Sequence, residues 1–195
     1  MTAFPAIALL EFSSIAAGTF AADRMVKKAE VTLLRAGTVQ PGKYLVLIAG
    51  GEAEVALARD AGLEAAGAAM IDDVYLPDVH PTVVEAIDGQ RRTGEYDAVT
   101  VLETSGVPAI VRATDAAVKG ALVELLELRL GDGLGGKGVA LLTGERADVE
   151  AAVEIAQRAL AGREGALCHA IISRIDAALA GRIEQTTRFA AQGGS

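Results

Sequence analysis

Apolar residues along this chain fall into strand-like and helix-like runs, and the same series of runs occurs twice. Ala6 to Phe12 is apolar except for Glu11, which predicts a strand buried over most of its surface. Ser13 and Ser14 stand where a helix cap belongs, and Ile15, Ala22, Met25, Val26 and Ala29 then share one helical stripe. Val31 to Val39 reads as a second strand, Gln40-Pro41-Gly42 as a turn, and Tyr44 to Ala49 as a third strand rich in Val, Leu and Ile. Gly50-Gly51 breaks the chain before a helix from about Glu52 to Ala66. A strand near Met70 to Leu76 and a short helix after Pro81 close the first series.

The second series repeats that order. A strand at Ala98 to Glu103 leads to a helix from about Val107 to Ala121, a strand at Val123 to Leu130, a glycine-rich turn and a strand at Val139 to Thr143. Val149, Val153, Ala156 and Leu160 recur at spacings of four, three and four, an amphipathic helical face. A last strand at Ala166 to Ile172 and a short helix at Asp176 to Ile183 follow, and residues from Thr186 onward read as a frayed tail.

Matched residues are 92 apart early in the two halves (11 and 103, 23 and 115, 27 and 119) and 94 apart later (43 and 137, 50 and 144, 55 and 149). A register kept over most of each half is a duplication of a unit of about ninety residues, too long for the ~20–50 residue unit of a stacked array. The expected domains are 1–93 and 94–185, with Gly89 to Tyr96 as linker and 186–195 as a flexible tail. Each half runs strand–helix–strand–strand–helix–strand–helix. That order predicts an α+β fold of the ferredoxin-like kind, an antiparallel sheet with helices on one face. The other face should meet water or a neighbour.

Composition narrows the chemistry. The net charge of −8 argues against a nucleic-acid partner that needs a basic face. A single cysteine, Cys168, excludes an internal disulfide framework and suits a reducing cytosol. No stretch reaches the ~20 apolar residues a membrane-spanning helix needs, and Met1 to Pro5 lacks the basic start of a signal peptide. Aromatics make up 4% of the chain and Trp is absent, so small aliphatic residues carry the packing and a large ligand cavity is not expected.

Gly131-Asp132-Gly133-Leu134-Gly135-Gly136-Lys137-Gly138 meets the first seven positions of a phosphate-binding loop, but Gly138 replaces the Ser or Thr that holds magnesium. A strand also follows where a helix should cradle phosphate, so the motif reads as a hairpin turn. His80 and His169 have no Cys or carboxylate partner at ligand spacing, so neither is a credible metal site. His80 is expected to start a helix and His169 to sit half-buried on a strand. Glu11 and Glu103 occupy one repeated strand position and read as structural acids at an interface between the copies. Cys168, in an apolar strand, reads as an inert core thiol. No catalytic constellation emerges.

Several segments together resemble the tandem-domain shell proteins of bacterial microcompartments, of the unpermuted class. They are Leu10 to Ala16, Ala22 to Ala29, Asp115 to Ala121, Pro41 to Tyr44, Gly133 to Lys137, Gly144 to Val149 and Val79 to Val83, kept in order over about residues 6 to 183. The resemblance implies a homotrimer that is hexagonal in outline and tiles a protein shell in the cytoplasm with other shell proteins. It also implies a central pore for small polar metabolites, lined by Val39, Gln40, Pro41, Leu134, Gly135 and Gly136. Lys27, Lys119 and Arg174 match the tile-edge positions. Some relatives of this class carry a pore-loop cysteine that binds an iron–sulfur cluster; Gln40 stands at that place here, so no cofactor is implied. The alternative from another class is a metabolite-binding regulatory module of tandem ferredoxin-like domains.

Overall fold

All seven residues of the first strand, β1 (Ala6–Phe12), are buried, so both of its faces need cover. Its even row, Ala6, Ala8, Leu10 and Phe12, packs with Ala21, Ala22 and Met25 of helix α1 (Ile15–Lys28) and with Val55 and Ala58 of α2 (Glu52–Ala66). Its odd row, Ile7 and Leu9, joins a different apolar cluster, one that holds Val107, Ile110 and Val111 of α4 (Val107–Gly120) in the second repeat. Period-two side-chain alternation therefore makes β1 the seam between two cores.

The computed structural model describes residues 5–93, 97–163 and 167–191. The expected linker end at 94–96, the domain boundary at 93/94, the expected strand start at Ala166 and residues 192–195 lie outside the described residues. The first sheet has the order β2-β3-β1-β4, with β2 at Thr32–Val39, β3 at Lys43–Gly50 and β4 at Met70–Leu76, every pairing antiparallel. Helix α3 (Pro81–Ile87) follows. The second sheet repeats the order as β6-β7-β5-β8, from β5 (Ala98–Thr104), β6 (Glu124–Leu130), β7 (Gly138–Gly144) and β8 (Cys168–Ser173), with α5 at Arg146–Ala159 and α6 at Ala177–Gln185. The duplication extends to irregularities. A bulge interrupts β2 between Leu33 and Arg35, and its twin interrupts β6 between Leu125 and Glu127.

Local chemistry explains the boundaries. Ser14 caps α1 by accepting the Ala17 N–H at 3.3 Å. His80 and Asp176, at equivalent places, cap α3 and α6 through the N–H groups of Thr82 and Ala178. The expected hydrophobic face of α5 is buried at Val149, Ala152, Val153 and Ala156.

The repeats are joined by packing as well as by chain. Helix α4 lies against β4 and β1, and α3 lies against β6. The face of the first sheet that needed water or a neighbour is thus partly covered by the second repeat. Arg91, in the expected linker, donates to the carbonyls of Glu184 at 3.3 Å and Gln185 at 2.9 Å and to Glu127 at 3.3 Å. It answers the orphan carbonyls at the end of α6. Within the expected tail, Thr187 donates to Glu127 at 2.7 Å, and Phe189–Ala191 form one 3-10 turn.

Gly138, where β7 begins under α4, leaves no room for a side chain: a Cβ there would lie 2.1 Å from Ile110 Cγ2. Gly138→Ala is expected to cost about 1–3 kcal/mol through overpacking. Urea unfolding checks this; an unchanged midpoint would mean the α4–β7 contact is looser than described.

Candidate functional site

Two hairpin loops, one per repeat, meet each other. The β2–β3 turn closes through a Gly42 N–H to Val39 O bond of 3.0 Å, with a cis peptide between Gln40 and Pro41 and Gly42 at φ +92°. The β6–β7 loop is longer and curls on itself: Gly131 N–H donates to Lys137 O at 3.0 Å and Leu134 N–H to Gly131 O at 3.1 Å. Gly131, Gly133, Gly135 and Gly136 all have positive φ, a conformation that excludes most side chains and accounts for the glycine run without phosphate. The loop enters β7 directly, as a turn should.

A Cβ on Gly136 would stand 2.9 Å from the Gln40 carbonyl oxygen and 3.3 Å from Pro41 Cδ, and one on Gly131 would stand 3.3 Å from Val39. Of the six residues named for a pore, Val39 and Gly136 are therefore buried in the contact between the loops. Gln40, Pro41 and Gly135 are exposed and Leu134 is half-buried. Asp132, exposed beside Gln40 and Gly133, joins the loop tips and is not among those six. Its signal was an acid alone in a glycine run. The exposed tips thus offer amide and backbone groups together with one carboxylate.

The base of the first loop is tied to the domain junction. Lys43, the first residue of β3, donates to Glu11 Oε1 at 2.6 Å, and Glu11 is wholly buried. The other oxygen, Oε2, accepts the Val107 N–H at 2.9 Å. Helix α4 has Gly106 at its N-cap with no capping side chain, so a carboxylate from the other repeat does that work and meets the positive end of the helix dipole. The repeated pair, Lys137 and Glu103, is also joined at 2.7 Å but stands 52% and 39% exposed. Hydrogen bonding to Glu103 holds the Lys137 ammonium above the usual lysine range. The expectation of structural acids between the copies holds at Glu11.

The edge candidates are not alike. Lys27 pairs with Asp23 at 2.7 Å on an open surface, 66% exposed. Lys119 pairs with Asp115 at 2.7 Å and also donates to the Asp78 carbonyl across the junction, while Asp115 accepts the His80 N–H at 2.8 Å. Arg174 is exposed at φ +55°, its N–H donating to Asp97 O at 2.9 Å.

Two expectations need correction. Cys168 is exposed, not a core thiol, and lies near enough to Lys137 to interact with it electrostatically. His169 is exposed, not half-buried. Both sit on β8, an edge strand whose first three residues are exposed. Among the described residues no group of three or more His, Cys, Asp or Glu could hold a metal, and no helix is long and apolar enough to cross a membrane.

A polar cluster completes the junction. Arg59 Nε donates to Asp73 Oδ2 at 2.6 Å, Arg112 donates to the Asp73 carbonyl at 2.7 Å, and Arg163 meets Asp72 at 3.4 Å. Burial pushes the Asp72 carboxyl up and the Arg112 guanidinium down. The Asp73 hydrogen bond raises Arg59.

Comparison with known proteins agrees with this geometry. The profile of the BMC domain matches twice, at residues 6–79 and 98–175. The chain is 38% identical over 164 residues to the bacterial microcompartment shell protein PduT of Citrobacter freundii, covering 84% of this chain and 89% of that one. It is 31% identical over 146 residues to the carboxysome assembly protein CcmO of Synechococcus elongatus, of which it spans 52%. Among solved structures, a microcompartment protein from Desulfitobacterium hafniense superposes with a TM-score of 0.78 at 38% identity, covering 91% of this chain and 98% of that one. A fused permuted hexameric shell protein of the RMM microcompartment shares the fold, with a TM-score of 0.58 at 23% identity over 82% of this chain and 83% of that one.

Glu11→Ala strands Lys43 and uncaps α4, and is expected to cost about 3 kcal/mol, since breaking a buried pair leaves a charge uncompensated. Chemical denaturation reads the loss; a change under 1 kcal/mol would show that α4 is capped by other means. Asp72 gives a pH-dependent prediction. Its carboxyl is raised in the fold, so its charged form weakens the folded state above the carboxylate range and the penalty fades as pH falls. Asp72→Asn should therefore melt higher than the parent at pH 7, with the gain gone near pH 4 on the unperturbed scale. A variant that melts lower at pH 7 would show the Arg163 contact to outweigh desolvation.

Proposed function

We propose, on the premise that this chain belongs to the BMC-domain family of microcompartment shell proteins, that three copies close into a flat trimer of hexagonal outline whose centre is a pore. The chain is a tandem shell protein and its role is structural, as a tile of the shell. The observation that carries the finer reading is the contact between the two hairpin loops, one from each domain. Two pseudo-equivalent domains placed side by side present their loops at neighbouring positions, and a head-to-tail contact repeated three times closes into a ring of six.

The pore lining then consists of Gln40, Pro41, Leu134 and Gly135, with Val39 and Gly136 holding adjacent loops together behind it. Close approach of six backbones near an axis is what the positive-φ glycines permit. Asp132 adds one carboxylate per chain near the mouth, which favours neutral or cationic polar solutes over anions. Lys27 and Arg174 are exposed and serve as lateral contacts to neighbouring trimers and to other shell proteins. Lys119, the third residue of this set, has part of its bonding capacity committed to the junction inside the chain.

Electron microscopy of purified protein should show flat sheets with hexagonal spacing. Lys27→Ala should stay trimeric in solution and lose the sheets; sheets unchanged in that variant would remove Lys27 from the edge. A metabolite-sensing module would instead gain about 2.7 kcal/mol from a hundredfold excess of its ligand over Kd. A thermal-shift screen against small polar metabolites should show no saturable gain of that kind.

A further inference from the structure

Four arginines gather at one place in a chain whose net charge is −8. A cavity of about 230 Å³ lies where α3 packs on β6, and Arg35 of β2, Arg91 of the linker, Arg129 of β6 and Arg188 of the tail all line it. Two acids, Glu127 and Asp132, share the wall. The charge of Glu127 is answered, because its Oε2 accepts from Arg91 at 3.3 Å and from the Thr187 hydroxyl at 2.7 Å. The wall as a whole carries an excess of two positive charges. Duplication did not place them there. Sheet register matches Arg129, opposite Val139, with Gly37, opposite Leu45, and Glu127, opposite Leu141, with Arg35, opposite Leu47.

The fold uses part of this charge. Arg91 gives its terminal nitrogens to Glu127 and to the carbonyls of Ile183, Glu184 and Gln185. Arg129 Nη1 donates to the Thr187 hydroxyl at 3.4 Å, and Arg35 meets Asp88 at 3.4 Å. The inner nitrogens are left over: Nε of Arg91 and Nε of Arg129 are both buried without a hydrogen-bond partner. An unmet buried donor is costly, and more so on a charged group. Two of them on the arginines of one cavity call for an acceptor that the chain does not supply. The tail is tied down at the same place, through Thr187 to β6 and through the Arg188 N–H, which donates to the Thr186 hydroxyl at 3.1 Å.

We infer that this cavity binds a small dianionic phosphate, free or as a monoester, with Arg91 and Arg129 supplying the inner donors and Arg35 and Arg188 the surrounding charge. Phosphate suits the wall better than a carboxylate does. A carboxylate offers two oxygens in one plane, whereas phosphate spreads its oxygens tetrahedrally and answers guanidinium groups that arrive from different elements. Its two charges match the excess on the wall. The cavity is smaller than the ~300–1,000 Å³ of sites for drug-sized ligands, which leaves room for phosphate with a few carbon atoms and none for a nucleotide. Gln40, Pro41, Leu134 and Gly135 do not line it, so the site is separate from the pore proposed above and stands without it.

Isothermal titration calorimetry on the full chain tests this, in a phosphate-free buffer at fixed ionic strength so that general screening stays constant. The probes are inorganic phosphate and glycerol 3-phosphate, with acetate as the singly charged comparison. Either phosphate should bind saturably with one equivalent per chain, and acetate should bind far more weakly. Arg129→Gln should weaken phosphate binding about tenfold, the loss expected for a hydrogen bond to a charged group. Arg188→Gln, at an exposed residue, should weaken it several-fold while the chain melts as the parent does. Arg158→Gln, at an exposed arginine of α5 that does not line the cavity, should bind as the parent does. Tighter binding of glycerol 3-phosphate than of phosphate supports a monoester as the ligand, and equal binding supports free phosphate. The inference is overturned by no saturable binding of either probe, by acetate binding as tightly, by affinity unchanged in Arg188→Gln and Arg129→Gln, or by an equal loss in Arg158→Gln.

Discussion

One buried carboxylate organises this molecule. Glu11 sits in the central strand of the first sheet with no solvent contact, held by Lys43 on one oxygen and by the Val107 N–H on the other. A charge so placed is costly unless every partner is present. The partners come from the base of the β2–β3 loop and from the first turn of α4, so satisfying Glu11 sets both the loop and the second domain at once. The seam formed by Ile7 and Leu9 against Val107, Ile110 and Val111 then excludes water around that charge. Apolar burial supplies the driving force, and the carboxylate supplies the register.

Duplication gave both domains the same device, and the single chain uses it once. Glu103 and Lys137 repeat the pair in solvent, next to a β8 whose first three residues are exposed. Four of the exposed large apolar residues follow the same division. Ile15, Phe20, Leu33 and Leu179 are large and exposed, while their counterparts in the internal junction are buried or hydrogen-bonded. Exposed apolar side chains gathered at these repeated positions are a more specific feature than overall hydrophobicity.

The secondary structure was largely legible because each element carried a local signal. The run Glu52 to Ala66 bounded by glycines and the strand Met70 to Leu76 fall within the limits read from the sequence. Strand order was not local: that β1 and β5 are central and β2 and β6 lie at the edges follows from pairing across the chain. Side-chain environment was the least legible property. Cys168 and His169 belong to an apolar run, but their place at the start of an edge strand leaves them in water. Lys119 and Lys27 look identical in sequence, and only the fold places one at a junction and the other on an open surface. The pore candidates divide in the same way, with Val39 and Gly136 turned into the contact between loops and Gln40 and Gly135 turned out.

By itself, the sequence determined the elements, their duplication and the kind of protein this is. Periodicity, caps and turn glycines act over a few residues, and repeated motifs survive as strings. Tertiary structure alone decided that two like domains are unlike in use. One Glu–Lys pair is tied into the junction between the domains and its copy stands at the surface. The reason is topological. A chain of two domains has one internal seam, so the residues that repeat that seam's two sides are left at the surface of the chain.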